Sequence, residues 1–114
     1  HFLAKHVGLL RAKELMLTNR PLSAREACEW GLVSRVVPHE SLGEEAEAMA
    51  RQFADGPTKA FGGVKRLLQT TYSDSIEAQL EKESVSIAKM VTTEDGPHGI
   101  RSFLNKVKPV FKGR

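Results

Sequence analysis

The 114 residues are enough for one domain with one hydrophobic core, and 40% hydrophobic with 27% charged residues is ordinary for a soluble protein. No apolar run approaches the ~20 residues of a membrane span and no secretory signal opens the chain, so no membrane partner is expected. The single cysteine, Cys28, excludes an intrachain disulfide and any zinc-ligand spacing, which favours a reducing, cytoplasmic compartment.

Residues 3–16 carry apolar side chains on most faces (Leu3, Val7, Leu9, Leu10, Leu15, Met16), the pattern of a helix buried on several sides. Asn19-Arg20-Pro21 is turn chemistry. Ser23 and Glu26 then form an S-x-x-E capping box, which predicts that the serine oxygen accepts from the Glu26 amide while the glutamate reaches back to the Ser23 amide. Ala24, Ala27 and Cys28 make a small-residue face on this short helix, and Gly31 stands where a left-handed residue would stop it. Residues 32–37 read as a short extended run closed by Pro38. The one strand candidate, residues 33–37, needs a partner or remains an extended connection.

Ser41 and Glu44 form a second S-x-x-E box and open a third helix, with Leu42, Ala46, Met49, Ala50 and Phe53 at helical spacing. Gly56-Pro57 ends it and starts a fourth, with Pro57 in the first turn and a stripe of Ala60, Phe61, Val64, Leu67 and Leu68. Gly62-Gly63 inside that helix predicts either close packing or a frayed turn. Asp74 and Glu77 cap a fifth helix bearing Ile76, Leu80, Ile87 and Val91. A sixth starts near Thr92 or Thr93, aligns Ile100, Phe103, Leu104 and Val107, and ends at Lys108-Pro109. Residues 110–114 form an extended tail. The class is therefore all-α, with five or six helices and at most one short strand.

The net charge of +3 is uneven: no acidic residue follows Asp95, whereas Arg101, Lys106, Lys108, Lys112 and Arg114 do. Such an end can meet nucleic acid, an acidic lipid surface or a phosphorylated small molecule, or it can stay solvated and unpartnered. Catalytic patterns are lacking. His1, His6, His39 and His98 are scattered without metal-ligand spacing, and Cys28 reads as a buried, inert thiol. Gly62-Gly63 lacks the lysine-serine ending of a phosphate loop, Glu44, Glu45 and Glu47 read as a solvated helix face, and Trp30 and Tyr72 make no base-stacking platform. No catalytic and no metal-binding residue is assigned.

Three stretches, VGLLRAKELMLTNRPLSAREACEWGLVSRVVP at residues 7–38, GPTKAFGGVKRLLQ at residues 56–69 and TEDGPHGIRSFLNKVKPVFKGR at residues 93–114, resemble the C-terminal part of the enoyl-CoA hydratase/isomerase (crotonase) family. The resemblance implies that the chain is the C-terminal helical part of a ββα-spiral fold. Residues 1–38 would end the core, and residues 39–114 would form a helical region for oligomerisation and CoA contact. It implies an acyl-CoA thioester as substrate with no permanently bound cofactor, a role in fatty acid metabolism, and a homo-oligomer, trimer or hexamer. In family members two backbone amides form an oxyanion hole that stabilises an enolate-like charge on the thioester, and carboxylates act as acid and base. Both would precede His1, so this chain is expected to be inactive alone.

One role does carry over by position. Family members place a phenylalanine and, three residues later, a lysine of the last helix near the CoA adenine and its phosphates; the matching residues are Phe103 and Lys106. Phe103 equally fits the core stripe, and Lys106 equally fits a cation facing a helix C-terminus. Members commonly carry a lysine-arginine pair where this chain has Lys106-Val107. A non-catalytic, self-associating helical module is the competing function. Nucleic-acid binding is not expected, because no reader motif accompanies the basic tail.

Overall fold

The computed structural model describes residues 1–114 and contains six α-helices, one 3-10 turn and no strand. The chain divides into two units, His1–Glu45 and Ala46–Arg114. No helix is long and apolar enough to cross a membrane.

The first unit holds α1 (Phe2–Thr18) and α2 (Ala24–Glu29). α1 breaks at Gly8, whose φ of 81° and ψ of 163° lie outside helical space and suit glycine alone. The continuous apolar pattern concealed this kink. The expectation that α1 is buried on several sides is corrected: only Val7 and Ala12 are buried, and Leu10 and Leu17 are 82% and 84% exposed. α1 ends at Asn19 in left-handed conformation, its amide donating to the Leu15 carbonyl at 3.0 Å.

Half of the first capping box forms. Ser23 Oγ accepts from the Glu26 amide at 3.2 Å, but the Glu26 carboxylate turns to Arg20, which donates to it from both terminal nitrogens at 3.0 and 2.7 Å. A two-pronged guanidinium outcompetes a single backbone amide. Arg20 also donates from Nε to Glu14 at 2.8 Å and lies with Arg11 over the Trp30 ring, so one side chain ties α1 to α2. These contacts hold the Glu26 carboxyl below its ordinary range, chiefly through Arg20. α2 ends as expected: Gly31 has φ 75°, and the amides of Gly31 and Leu32 donate to the carbonyls of Cys28 and Ala27 at 3.0 and 2.8 Å. Cys28 is half-buried rather than buried.

Residues 33–37 pair with nothing as a strand; they are the extended connection, tethered by an Arg35–Glu45 ion pair at 3.0 Å. The second capping box does not form. Ser41 closes a 3-10 turn (His39–Ser41) with its Oγ donating back to the Pro38 carbonyl, and that turn runs straight into α3 (Leu42–Ala54).

The second unit continues α3 and holds α4 (Thr58–Thr70), α5 (Ile76–Val91) and α6 (Asp95–Leu104). Phe53 meets Phe61 edge-on at 5.9 Å across the Gly56-Pro57 turn. Pro57 precedes the first turn of α4 instead of lying in it. Gly63 is buried against α5, and a Cβ there would lie 3.1 Å from Ser86 Oγ, so the helix packs closely on α5 at this glycine. The cap of α5 is Ser75, whose Oγ accepts from the Ala78 amide at 3.2 Å, not Asp74. Asp74 is taken by Lys82, which holds its carboxyl below the ordinary range. Ser75→Ala is expected to cost about 1 kcal/mol in urea denaturation, the usual worth of an N-cap.

The expected apolar stripes exist but do not close into a core. The buried hydrophobic residues are Val7, Ala12 and Ala27, all in the first unit, and no large side chain is fully buried. Leu68, Ile87 and Leu104 stand open on α4, α5 and α6.

Candidate functional site

The residues singled out for ligand contact sit at the end of α6. Its apolar stripe predicts a helix running to Lys108-Pro109; the helix stops at Leu104 instead. The amides of Lys106 and Val107 donate to the carbonyls of Phe103 and Ser102 at 3.1 and 3.0 Å, a paired C-terminal cap. Position 106 is the residue this cap forces into left-handed conformation, with φ 56°, where glycine is the ordinary occupant. Phe103 and Lys106 are thus joined through backbone, one on the last helical turn and the other just beyond it. Phe103 is 83% exposed, so this chain by itself does not bury the ring. Its ring is free to offer a face to a planar ligand.

The tail is not a solvated, unpartnered end. Asp95, at the start of α6, is 5% exposed; its two carboxylate oxygens accept from the Lys112 and Gly113 amides at 2.8 and 2.7 Å, and its own amide donates to the Arg114 carbonyl at 3.1 Å. His98 Nε2 accepts from the Val110 amide at 3.1 Å, and the His98 ring meets Phe111 edge-on. Arg114 and Lys112 approach Glu94 at 3.2 and 3.9 Å. Gly113 has φ 71°, and a Cβ there would lie 2.6 Å from Thr58 Oγ1. Lys106, Lys108 and Arg101 have no carboxylate within 4.0 Å, so the free cations cluster where α6 ends and the paired ones where it begins. Asp95 was not singled out from sequence. Its one signal was being the last acid before a basic run.

The Lys112 amide is the main cause that holds the Asp95 carboxyl below the ordinary carboxylate range; burial opposes it, and the Gly113 and Arg114 amides and the nearby His98 reinforce it. A depressed folded value stabilises the fold above the unfolded value and is lost as pH falls through the folded one. Protection of the Lys112 and Gly113 amides, taken relative to their intrinsic exchange rates, is therefore expected to persist through the ordinary carboxylate range, near pH ~4, and to be lost only below it. Protection lost already at higher pH would show that the carboxylate does not hold the tail.

One cleft of about 540 Å³ lies where α6 begins and the tail returns, lined by Thr93, Glu94, Asp95, His98, Arg101 and Lys112, and two smaller clefts lie elsewhere in the same unit. One of about 390 Å³ lies between α4 and α5, lined by Gly63, Arg66, Thr70, Lys82, Ser86 and Lys89. The other, about 250 Å³ and mostly apolar, lies among α4, α6 and the tail beside Ala60, Met90, Ile100 and Phe111. Neither includes Phe103 or Lys106. The acidic, histidine and cysteine side chains form no group of three able to hold one metal ion.

Compared with known proteins, residues 1–114 match the family model described as enoyl-CoA hydratase/isomerase. The chain is 35% identical over 112 residues to the protein named "Probable enoyl-CoA hydratase" of Bacillus subtilis (strain 168), covering 97% of this chain and 43% of that one. It is 32% identical over 112 residues to the 1,2-epoxyphenylacetyl-CoA isomerase of Escherichia coli (strain K12), covering 98% and 43%. Among solved structures, the enoyl-CoA hydratase of Bacillus anthracis superposes with a TM-score of 0.88 at 33% identity, over 98% of this chain and 43% of that one. The chain thus spans less than half the length of these relatives, and its all-α architecture is a portion of their fold.

Proposed function

Because the chain belongs to the enoyl-CoA hydratase/isomerase family, we propose that it is the C-terminal helical portion of an acyl-CoA enzyme, completing the CoA site and building a homo-oligomer, trimer or hexamer. The observation that carries this reading is a family match over the whole chain joined to apolar faces that the chain leaves uncovered. Phe103, Leu104 and Val107 at the end of α6, and Leu9, Leu10 and Leu17 on α1, are exposed side chains of a kind that mark an interface. In this reading residues 1–38 end the catalytic core and residues 39–114 form the assembly and CoA-contact region, in a cytoplasmic setting.

The chemistry is hydration or isomerisation of an enoyl-CoA through an enolate whose charge is held by backbone donors. No residue of this chain is assigned to that oxyanion hole or to proton transfer. The chain contributes binding: the exposed Phe103 ring packs on adenine, and the Lys106 ammonium meets phosphate as a point charge. Such contacts are remote from the reacting atoms and act equally on ground and transition states.

Crotonyl-CoA hydration tests the reading. The 114-residue chain alone is expected to show no turnover, and co-expression with the remaining portion of a hydratase relative is expected to restore it. Complex formation with persistent inactivity would instead identify a self-associating module without chemistry. Sedimentation of the chain alone is expected to give a multiple of 12.6 kDa. A stable monomer that binds no dye for exposed apolar surface would overturn the assembly role.

A further inference from the structure

Lys106 is held from two sides. On one side is the paired cap at the end of α6; on the other, the chain returns from Lys106 to the beginning of the same helix and is fastened at Asp95. The return stretch has little slack. α6 is about 15 Å long at 1.5 Å per residue. The six steps from Lys106 to Lys112 reach about 20 Å when fully extended. The return must also step sideways off the helix, and Lys108-Pro109 within it is restricted to extended conformations. A taut return fixed at its far end removes the conformational freedom that a non-glycine residue in left-handed space would otherwise use to relax.

We propose that Asp95 is a positioning residue for Lys106: by fastening the Lys112 and Gly113 amides across the first turn of α6, it closes residues 95–114 into a ring whose reversal point is Lys106. The latch is specific in its geometry. Both carboxylate oxygens are used, the residue is buried, and its backbone amide also binds the tail. Gly113 fits because its φ is positive and because any Cβ would strike Thr58. Val110 on His98, and Lys112 and Arg114 on Glu94, line the return onto α6 at further points. The consequence for function rests on the reading of Lys106 as a CoA contact: with the ring closed, the ammonium is presented from a fixed backbone, and with the ring open it is not.

The test uses the 114-residue chain assembled with the remaining portion of a hydratase relative, coenzyme A as titrant, and four variants: Asp95→Asn, Gly113→Ala, Lys106→Ala and the double variant Asp95→Asn/Lys106→Ala. Asp95→Asn weakens the latch from the helix side, and Gly113→Ala from the tail side without touching α6. In both, exchange at the Lys112 and Gly113 amides is expected to accelerate about tenfold or more while the helical circular dichroism is kept. Coenzyme A affinity is expected to fall about threefold or more in each, and the double variant is expected to bind no more weakly than Lys106→Ala alone, because coupled residues are non-additive. A general structural loss would add to the Lys106→Ala effect, and additivity would overturn the proposal. So would unchanged tail exchange, or faster exchange with wild-type affinity for coenzyme A. If Lys106→Ala itself leaves affinity unchanged, or if the wild-type assembly does not bind coenzyme A, the CoA reading falls and takes the proposal with it. That outcome is distinguished from failure of the latch by the exchange data.

Discussion

Alanine at Gly96 is expected to destabilise the Ala46–Arg114 unit by about 3 kcal/mol, the upper range for forcing an extra carbon into packed structure. Its Cβ would stand 2.1 Å from the Met90 carbonyl oxygen, 3.0 Å from that carbonyl carbon and 3.3 Å from Val91 Cα. All three atoms are backbone near the end of α5, so no rotamer change makes room. The helices must move apart, and the first turn of α6 cannot move freely. The Gly96 amide donates to Thr93 Oγ1 at 3.1 Å, and neighbouring Asp95 holds the tail. Gly63 is the control. There the Cβ would lie 3.1 Å from Ser86 Oγ, a side-chain atom that can rotate away, and alanine recovers up to about 1 kcal/mol of helix propensity. Gly63→Ala is therefore expected to fall within about 1 kcal/mol of the parent, on either side. Urea denaturation measures both. A Gly96→Ala variant within about 0.5 kcal/mol of the parent, the range of an inconsequential surface change, would show that α5 and α6 do not approach as closely as described.

Local chemistry made much of this fold legible. Gly31 ends α2 in the predicted left-handed conformation, and the glycine in α4 marks close packing on α5. These features depend on a few neighbouring residues and one backbone property. Misreadings arose where two local partners competed. Glu26 had both a capping amide and Arg20 within reach, and the charge-assisted pair won. Asp74 and Ser75 are adjacent, and the residue left free of Lys82 became the cap. Ser41 bonds backwards to Pro38, which the S-x-x-E spacing does not reveal. The break at Gly8 was hidden because a lone glycine in an apolar run reads as a tolerated helical residue. The stripes identified which side chains share a face, but a stripe does not say whether the face is covered by the same chain.

The candidate site was legible only in part. Phe103 and Lys106 came from resemblance, and the apolar stripe placed both on one continuous helix. The backbone turns between them, because the cap at Lys106 is made by carbonyls and amides that carry no side-chain signature. Asp95 is invisible for the same reason: its partners are backbone amides 17 and 18 residues away. What sequence does carry is the contrast between Glu94-Asp95 and the acid-free stretch that follows, which the structure resolves into a fastened end and a free one.

Glycine at position 106 is expected to move stability and ligand binding in opposite directions. Lys106 occupies left-handed backbone space at φ 56°, where a residue with a Cβ costs about 1 kcal/mol or more and glycine does not. Lys106→Gly should therefore raise the unfolding free energy by about 1 kcal/mol, whereas Lys106→Ala, which keeps the Cβ, should leave it nearly unchanged. Both variants remove the ammonium. In the active assembly proposed above, both should raise the acyl-CoA KM by about three- to tenfold, the worth of one exposed charged contact to phosphate, with kcat little altered. This pairing separates the two roles of the residue. If lysine were present only as a cation opposing the α6 dipole, alanine would lower stability slightly, the gain from glycine would shrink by the same amount, and KM would not move. If KM rises in both variants while stability rises in glycine alone, the chain keeps a strained backbone at this position for the sake of the charge it carries. An unchanged KM in both would remove Lys106 from the CoA site, leaving the cap geometry as its only role.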